Sequence, residues 1–369
     1  MKKLLLSFFL LCSSLLMSQT TIVDSIISGG IYRNYRVYVP AAYNGSAAWP
    51  LVFDLHGYTS SALNEQLYSN FMPIADTAHF LIVYPNGTLI SGQPFWNAGF
   101  GATVNDVQFI SNLIDTLSTQ YNIDANSVYS CGMSNGGYMS HTLACELNDK
   151  IAAIASVTGS MSVLQKATCT PNRTVPVMQI SGNADATVAY TGSSTSLHID
   201  TLVNYWVNNN NCNPTPAFTT VPNTNLTDGC TAEHYVYSGG DNGSSVELYK
   251  IIGGGHTWPG APFTIGVTNR DFNASLMIWL FFRKYHLTQF TSINELNTPL
   301  DITIYPNPAM DLINVAVSGN VLISIMDING KQVLSGNQKT VDVSSLKKGI
   351  YFVHVSNAKG SAVKKLIRM

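Results

Sequence analysis

The feature that most constrains this chain is an alternation. Between residues 50 and 285, short apolar runs that stop at glycine or proline take turns with stretches whose apolar residues recur at helical spacing. Residues 50–57 (PLVFDLHG) and 80–84 (FLIVY, stopped by Pro85-Asn86-Gly87) read as buried strands. Residues 106–121 place apolar side chains at 107, 109, 110, 113, 114 and 117, one face of a helix. The pattern then predicts a strand at 127–131, a helix at 135–147, strands at 151–157 and 175–180, and a helix at 195–208. A strand at 246–252 and a helix at 273–285 close the series. Strands separated by helices imply a mainly parallel sheet, because each crossover lays a helix on one of its faces. The expected fold class is therefore α/β and doubly wound. An antiparallel hairpin of residues 22–27 and 31–39, turned at Gly29-Gly30, precedes it.

Composition agrees with a large core: 46% of the 369 residues are apolar and only 11% charged. The first 18 residues stand apart. Lys2-Lys3 precedes an apolar run from Leu4 to Met17, which reads as a cleavable secretory signal too short for a membrane anchor. No later stretch is long and apolar enough to form a membrane span. Export permits disulfides. Without Cys12, five cysteines remain, an odd number. Cys131 lies in an apolar strand and is expected to be a buried free thiol. Cys145–Cys169 and Cys212–Cys230 are the expected pairs, each closing a short loop, although five cysteines allow other pairings. There is no CxxC pair and no HExxH helix, so neither a metal nor another cofactor is expected.

Beyond residue 300 the pattern changes to short strands of period two at 312–317, 321–326, 349–355 and 362–367, with a turn at 327–330. These predict a small β-sandwich. Residues 297–369 carry a net charge of +4 and residues 19–296 one of −8, which argues for two domains and against nucleic-acid binding by the larger. The expected boundaries are a signal peptide at 1–18, a catalytic domain at 19–290, a linker at 291–300 and the sandwich at 301–369.

Within the alternation, Gly132-Met133-Ser134-Asn135-Gly136 fits G-x-S-x-G and falls between a predicted strand and a predicted helix. That is the context of a nucleophile elbow, in which a sharp turn lifts serine above the end of the strand. Serine is a weak nucleophile and needs a histidine base, itself oriented by a carboxylate. In such folds the order along the chain is serine, acid, histidine. Asp185 follows the strand at 175–180, and His256 follows the strand at 246–252. Asp200 and Asp228 also lie between Ser134 and His256, but the first falls in a predicted helix and the second in a Thr-Asp-Gly turn. His56-Gly57 ends an early strand, so the Tyr58 amide can join that of Asn135 in an oxyanion hole. Trp96, Tyr58, Tyr190 and Trp258 are the candidate aromatic lining of a substrate cleft, with core packing as the bland alternative for each.

Leu55-His56-Gly57, Gly132 to Gly137, Asn183-Ala184-Asp185 and Gly253 to Gly260 resemble the secreted polyhydroxybutyrate depolymerase and feruloyl esterase-like α/β-hydrolases over roughly residues 30–285. The resemblance implies Ser134 as nucleophile, His256 as base and Asp185 as its partner, acting through an acyl-enzyme. Tyr58-Thr59 after His56-Gly57 departs from many members. Residues 300–369, through Tyr305-Pro306-Asn307-Pro308, Gly349-Ile350-Tyr351-Phe352-Val353 and Lys364-Lys365-Leu366-Ile367, resemble the sorting domain of type IX secretion. This implies that the secretion machinery is a partner and that the location is extracellular or at the cell surface. The expected function is a serine carboxylic ester hydrolase acting on a polyester or short hydroxyacyl esters. Feruloyl or acetylxylan ester hydrolysis is the alternative, and a catalytically silent surface-binding protein the reading from another class.

Overall fold

The computed structural model describes residues 19–287, 302–319, 321–327, 332–357 and 360–369. The expected signal peptide, the linker at 291–300 and residues 328–330 of the expected turn lie outside the described residues. The chain divides into two compact units, Met1–Thr288 and Gln289–Met369.

The first unit opens with β1 (Thr20–Ser28) and β2 (Ile31–Val39), paired antiparallel across Gly29-Gly30. Then come β3 (Trp49–Leu55), α1 (Ala62–Ser69), α2 (Met72–Ala78), β4 (Leu81–Pro85) and a separate small hairpin, β5 (Thr88–Ile90) with β6 (Gln93–Phe95). The middle is α3 (Asp106–Gln120), β7 (Ile123–Met133), α4 (Asn135–Glu146), β8 (Ala153–Val157), α5 (Val163–Thr168), β9 (Val177–Gly182) and α6 (Ile199–Asn209). The last elements are β10 (Ala217–Thr220), β11 (Thr231–Tyr237), β12 (Val246–Ile252) and α7 (Ala274–Phe282). Ten of these strands form one sheet in the order β1-β2-β4-β3-β7-β8-β9-β12-β11-β10. It is parallel from β4 to β12 and antiparallel at both margins. β4, β8 and β9 are buried along their whole length, as strands covered on both faces must be.

Period-two alternation sorts side chains between the two faces. Leu51, Phe53 and Leu55 of β3 enter a core built with Phe109 and Leu113 of α3, Leu143 of α4 and Trp206 of α6. Val52 turns the other way, toward Tyr84, Cys131 and the phenylalanines 281 and 282 of α7. Asp54 is two residues beyond Val52 on that same side and fully buried, an acid inside an apolar layer.

Some expectations need correction. The helix expected at 195–208 begins at Ile199, because Ser196 makes a β-bridge to Ser162 and His198 caps the helix. β11 was not foreseen; it extends the sheet as an antiparallel neighbour of β12, a pairing set by long-range contacts. Cys145 and Cys169 form a disulfide with a Cα–Cα distance of 5.0 Å, tying the end of α4 to the end of α5. Cys131 is a buried free thiol. The expected Cys212–Cys230 bond is not formed, and both thiols are free and buried. Cys212 sits near Ser244, ahead of β12, whereas Cys230 precedes Thr231, which pairs with Ile252 at the other end of β12. Seven residues of strand therefore hold the two thiols about 20 Å apart.

In the second unit, β13 (Thr303–Tyr305), β14 (Leu312–Ala316), β15 (Leu322–Met326), β16 (Gln332–Gly336), β17 (Thr340–Asp342), β18 (Gly349–Asn357) and β19 (Gly360–Arg368) form two antiparallel sheets, β13-β14-β17 and β16-β15-β18-β19. Alternate residues, including Ile313, Val315, Ile323, Ile325, Val353 and Val355, make the core of this sandwich.

Candidate active site

β7 ends at Met133 and α4 starts at Asn135, so Ser134 makes the turn alone. Its φ of 54° and ψ of −117° are costly for any residue with a Cβ, on the order of 1–3 kcal/mol. Its side chain makes no capping bond, which leaves the hydroxyl available. The turn is tight because β3, β7 and α4 touch through their backbones. A Cβ on Gly132 would lie 2.5 Å from the Leu55 carbonyl oxygen, and one on Gly136 would collide with that same oxygen. Glycine on both sides of the serine is a packing requirement.

Asp185 and His256 lie on two loops that are stitched together. The Asn183 amide donates to the Ile251 carbonyl, that of Ala184 to the Gly254 carbonyl, and that of Gly253 to Asn183 Oδ1. This places Asp185 Oδ2 2.7 Å from His256 Nδ1. Asp185 Oδ1 accepts from the Thr187 and Val188 amides at 2.8 and 2.9 Å. These bonds fix the carboxylate in place, while His256 stays partly open to solvent. The competing acids are engaged elsewhere. Asp200 accepts from Tyr190 Oη, and Asp228 accepts from the Cys230 and Arg270 amides. Ser134 and His256 line the same cleft, and no hydrogen bond joins their side chains in this structure. Such bonds often close only when substrate is bound.

A chain of buried bonds links Asn135 to the loop that carries Tyr58. Asn135 Nδ2 donates to the Trp96 carbonyl at 3.0 Å, and the Trp96 amide donates to Asn135 Oδ1 at 2.7 Å. Trp96 Nε1 donates to the His56 carbonyl at 3.0 Å. His56 Nε2 accepts the Gly87 amide, so Nδ1 carries the proton and donates to the Gly57 carbonyl at 2.7 Å. Burial pulls the His56 imidazole down to about 4, so the ring stays neutral and braces the loop that carries Tyr58. Among the described residues, no group accepts the Tyr58 or Asn135 amide. At the start of α4, that leaves the Asn135 N–H aligned with the positive end of the helix.

Two lobes meet at Ser134. One, of 570 Å³, holds His256 and is bounded by Tyr58, Ser60, Asn64, Glu65, Tyr68, Phe263 and Ile265. The other, of 360 Å³, is walled by Tyr58, Ile90, Phe95, Phe100, Tyr138 and Val188. Its rings touch in series: Tyr58–Phe95 at 6.4 Å, Phe95–Phe100 at 6.3 Å and Phe100–Tyr138 at 5.3 Å between centroids.

Of the expected aromatic lining, Tyr58 borders both lobes, whereas Trp96, Tyr190 and Trp258 are a correction: all three are buried and line neither lobe. Each has a partner that explains its place. Trp96 bonds Asn135 and the His56 carbonyl, and Tyr190 donates to Asp200. Trp258 pins the His256 loop by donating its amide to Tyr68 Oη and its indole N–H to Ser275 Oγ. The residue beside Trp96 shows the signal that was missed. Neighbours in a strand face opposite ways, and once Trp96 points into the core Phe95 of β6 faces the cleft.

Residues 303–369 match the secretion system C-terminal sorting domain, so the chain carries a type IX export signal and its place is outside the cell or on its surface. Feruloyl esterase B of Piromyces equi is 27% identical over 61% of this chain and 42% of its own length. A poly(3-hydroxybutyrate) depolymerase of Ralstonia pickettii is 31% identical over 37% of this chain and 30% of its own. The chain thus spans less than half the length of either relative. The solved structure of an acetyl xylan esterase from Aspergillus awamori superposes with a TM-score of 0.52 at 16% identity, covering 64% of this chain and 94% of that one. The first unit has the fold of the α/β-hydrolases.

Proposed function

We propose that this is an exported serine carboxylic ester hydrolase that works through an acyl-enzyme. The observation that carries the reading is the 2.7 Å bond from His256 Nδ1 to an otherwise fully bonded Asp185, ending at the cleft where Ser134 stands in a strained turn. Ser134 Oγ attacks the ester carbonyl while His256 Nε2 takes its proton. Asp185 holds the imidazole in the tautomer that this requires and stabilises the cation that forms. The Asn135 and Tyr58 amides receive the developing oxyanion, each such donor supplying about 3 kcal/mol of transition-state stabilisation. His256 then protonates the departing alcohol, and water repeats the sequence to release the acid. Export completes the reading: residues 1–18 serve as the signal, 19–290 as the enzyme, 291–300 as the linker and 301–369 as the sorting domain.

Two substrate classes compete. Polyester or hydroxyacyl esters are the first, supported by the depolymerase relative. Feruloyl or acetyl esters of plant polysaccharide are the second, favoured by the feruloyl esterase relative and by the series of aromatic rings in the 360 Å³ lobe. The test is acid release from amorphous poly(3-hydroxybutyrate) and from methyl ferulate, with Ser134→Ala as the blank. Loss of about 10⁵–10⁶-fold in that variant is expected on whichever ester is cleaved. Absence of any Ser134-dependent labelling by a fluorophosphonate would leave a silent binding protein instead.

A further inference from the structure

The two lobes differ in chemistry, and the position of His256 says which part of an ester enters each. A general acid must reach the leaving oxygen, so the departing alcohol lies in the lobe that contains His256. The acid part then falls to the aromatic lobe, which Asn135 borders and His256 does not. That second lobe is walled by rings and aliphatic side chains, with the Tyr138 hydroxyl already bonded to Ser196. The His256 lobe instead gathers polar groups on one wall: Ser60, Asn64 and Glu65, around the start of α1.

Glu65 is the unusual member. It is 2% exposed yet borders the lobe, its Oε1 is buried without a partner, and no group among the described residues bonds its other oxygen. Its backbone is fully used, the amide donating to the Ser61 carbonyl and the carbonyl accepting from Ser69 Oγ. Behind it lie Asp54 of β3, with Oδ2 also unpartnered, and Tyr84 of β4, whose hydroxyl has no partner. Cys131 of β7 completes the set, donating to Asp54 Oδ1 at 3.6 Å. Burial, reinforced by Asp54, raises the Glu65 carboxyl well above its ordinary value. A neutral carboxyl can both donate and accept, which suits a hydroxyl better than a cation or an anion. A buried polar group without a partner costs free energy that a matching ligand group recovers.

We propose that Glu65, with Asn64 and Ser60, is a specificity-determining residue that hydrogen-bonds hydroxyls of the departing alcohol. This rests on the ester hydrolase reading. The preferred substrate joins an apolar, ring-bearing acid to a hydroxyl-rich alcohol. A polyester carries the same repeat on both sides of the cleaved bond and has no use for two unlike lobes.

The experiment holds the acid constant and varies the alcohol, comparing kcat/KM for methyl ferulate with that for a feruloyl ester of a monosaccharide. Wild type, Glu65→Gln, Glu65→Leu and Asn64→Ala are assayed. Asn64 is exposed on the helix surface, so its truncation puts folding at little risk even if a Glu65 variant misfolds. The wild type is expected to favour the sugar ester by at least about tenfold, the discrimination one or two hydrogen bonds supply. Glu65→Leu is expected to erase most of that ratio, with Asn64→Ala and Glu65→Gln intermediate. A wild-type ratio near one, or a ratio unchanged in all three variants, overturns the proposal while leaving the esterase standing. Failure of the wild type on both esters and on 4-nitrophenyl acetate overturns the esterase reading, and this proposal with it.

Discussion

Two buried acids in this molecule show opposite solutions to the same problem. Asp185 has a partner for each oxygen: the Thr187 and Val188 amides for one, His256 Nδ1 for the other. Asp54 is more deeply buried and accepts from a thiol on Oδ1, leaving Oδ2 without a partner beside a second acid, Glu65, whose Oε1 is in the same state. The first environment fixes the carboxylate in place; the second penalises the charged form of Asp54 through burial. Burial is common to both. The difference lies in where the backbone points its amides: into the loop after β9 for Asp185, and along the sheet hydrogen bonds of β3 for Asp54. A strand's N–H groups are committed to its neighbours, so an acid on a central strand finds no backbone donors.

The comparison yields predictions of decreasing size. Asp185→Asn should lower kcat on any accepted ester by about 10⁴-fold, because the amide favours the wrong imidazole tautomer. Thermal unfolding of that variant should change far less than its activity. An equal activity loss in Asp54→Asn would erase the distinction between the two sites.

The next effect is on stability against pH. Burial pushes the Asp54 carboxyl up to about 7, so the folded protein keeps a proton that the unfolded chain releases near pH 4. The stability tied to this group is complete below about pH 4, declines as pH rises through about 7, and is constant above. Asp54→Asn removes that decline. Its stability relative to wild type should rise between pH 4 and 7 by at least about 1.4 kcal/mol, the equivalent of one pKa unit. Chemical denaturation at pH 5 and pH 8 measures it. His56 and His141, both pulled down to about 4 by burial, act in the opposite sense as pH falls, so the difference between variant and wild type is the quantity to read. A parallel pair of curves would mean that Asp54 has a partner in solution.

The smallest effect concerns Cys131. Cys131→Ala should cost about 1 kcal/mol for the lost donor. The cost should be larger at pH 8 than at pH 5, since a bond to a carboxylate is stronger than one to a neutral acid. The same denaturation series reads it, and a cost independent of pH would assign the loss to packing alone.

Much of this was legible in the residues, and where it was not the cause is physical. The strand–helix alternation from 50 to 285 and the period-two tail are local patterns, and they marked the elements that carry Ser134, Asp185 and His256. β11 and the split of Cys212 from Cys230 depend on which strand pairs with which, and no local pattern records that. The aromatic cleft failed for a related reason. Tyr190 and Trp258 stood close to Asp185 and His256 in sequence, but a large ring next to such a loop can brace it from below as well as line it from above, as Trp96 does for the loop of Tyr58.

What the sequence by itself determined is the order of chemical groups: glycines where β3, β7 and α4 must touch, serine between them, an acid and a histidine after successive strands. These depend on covalent neighbours and on backbone sterics, which travel with the chain. Only the tertiary structure decided that Phe95, Phe100 and Tyr138 wall one lobe, and that Glu65, buried with its Oε1 unpartnered, borders the other. Those contacts join segments far apart along the chain, and their free energies depend on burial, which exists only once the sheet and its helices have closed around them.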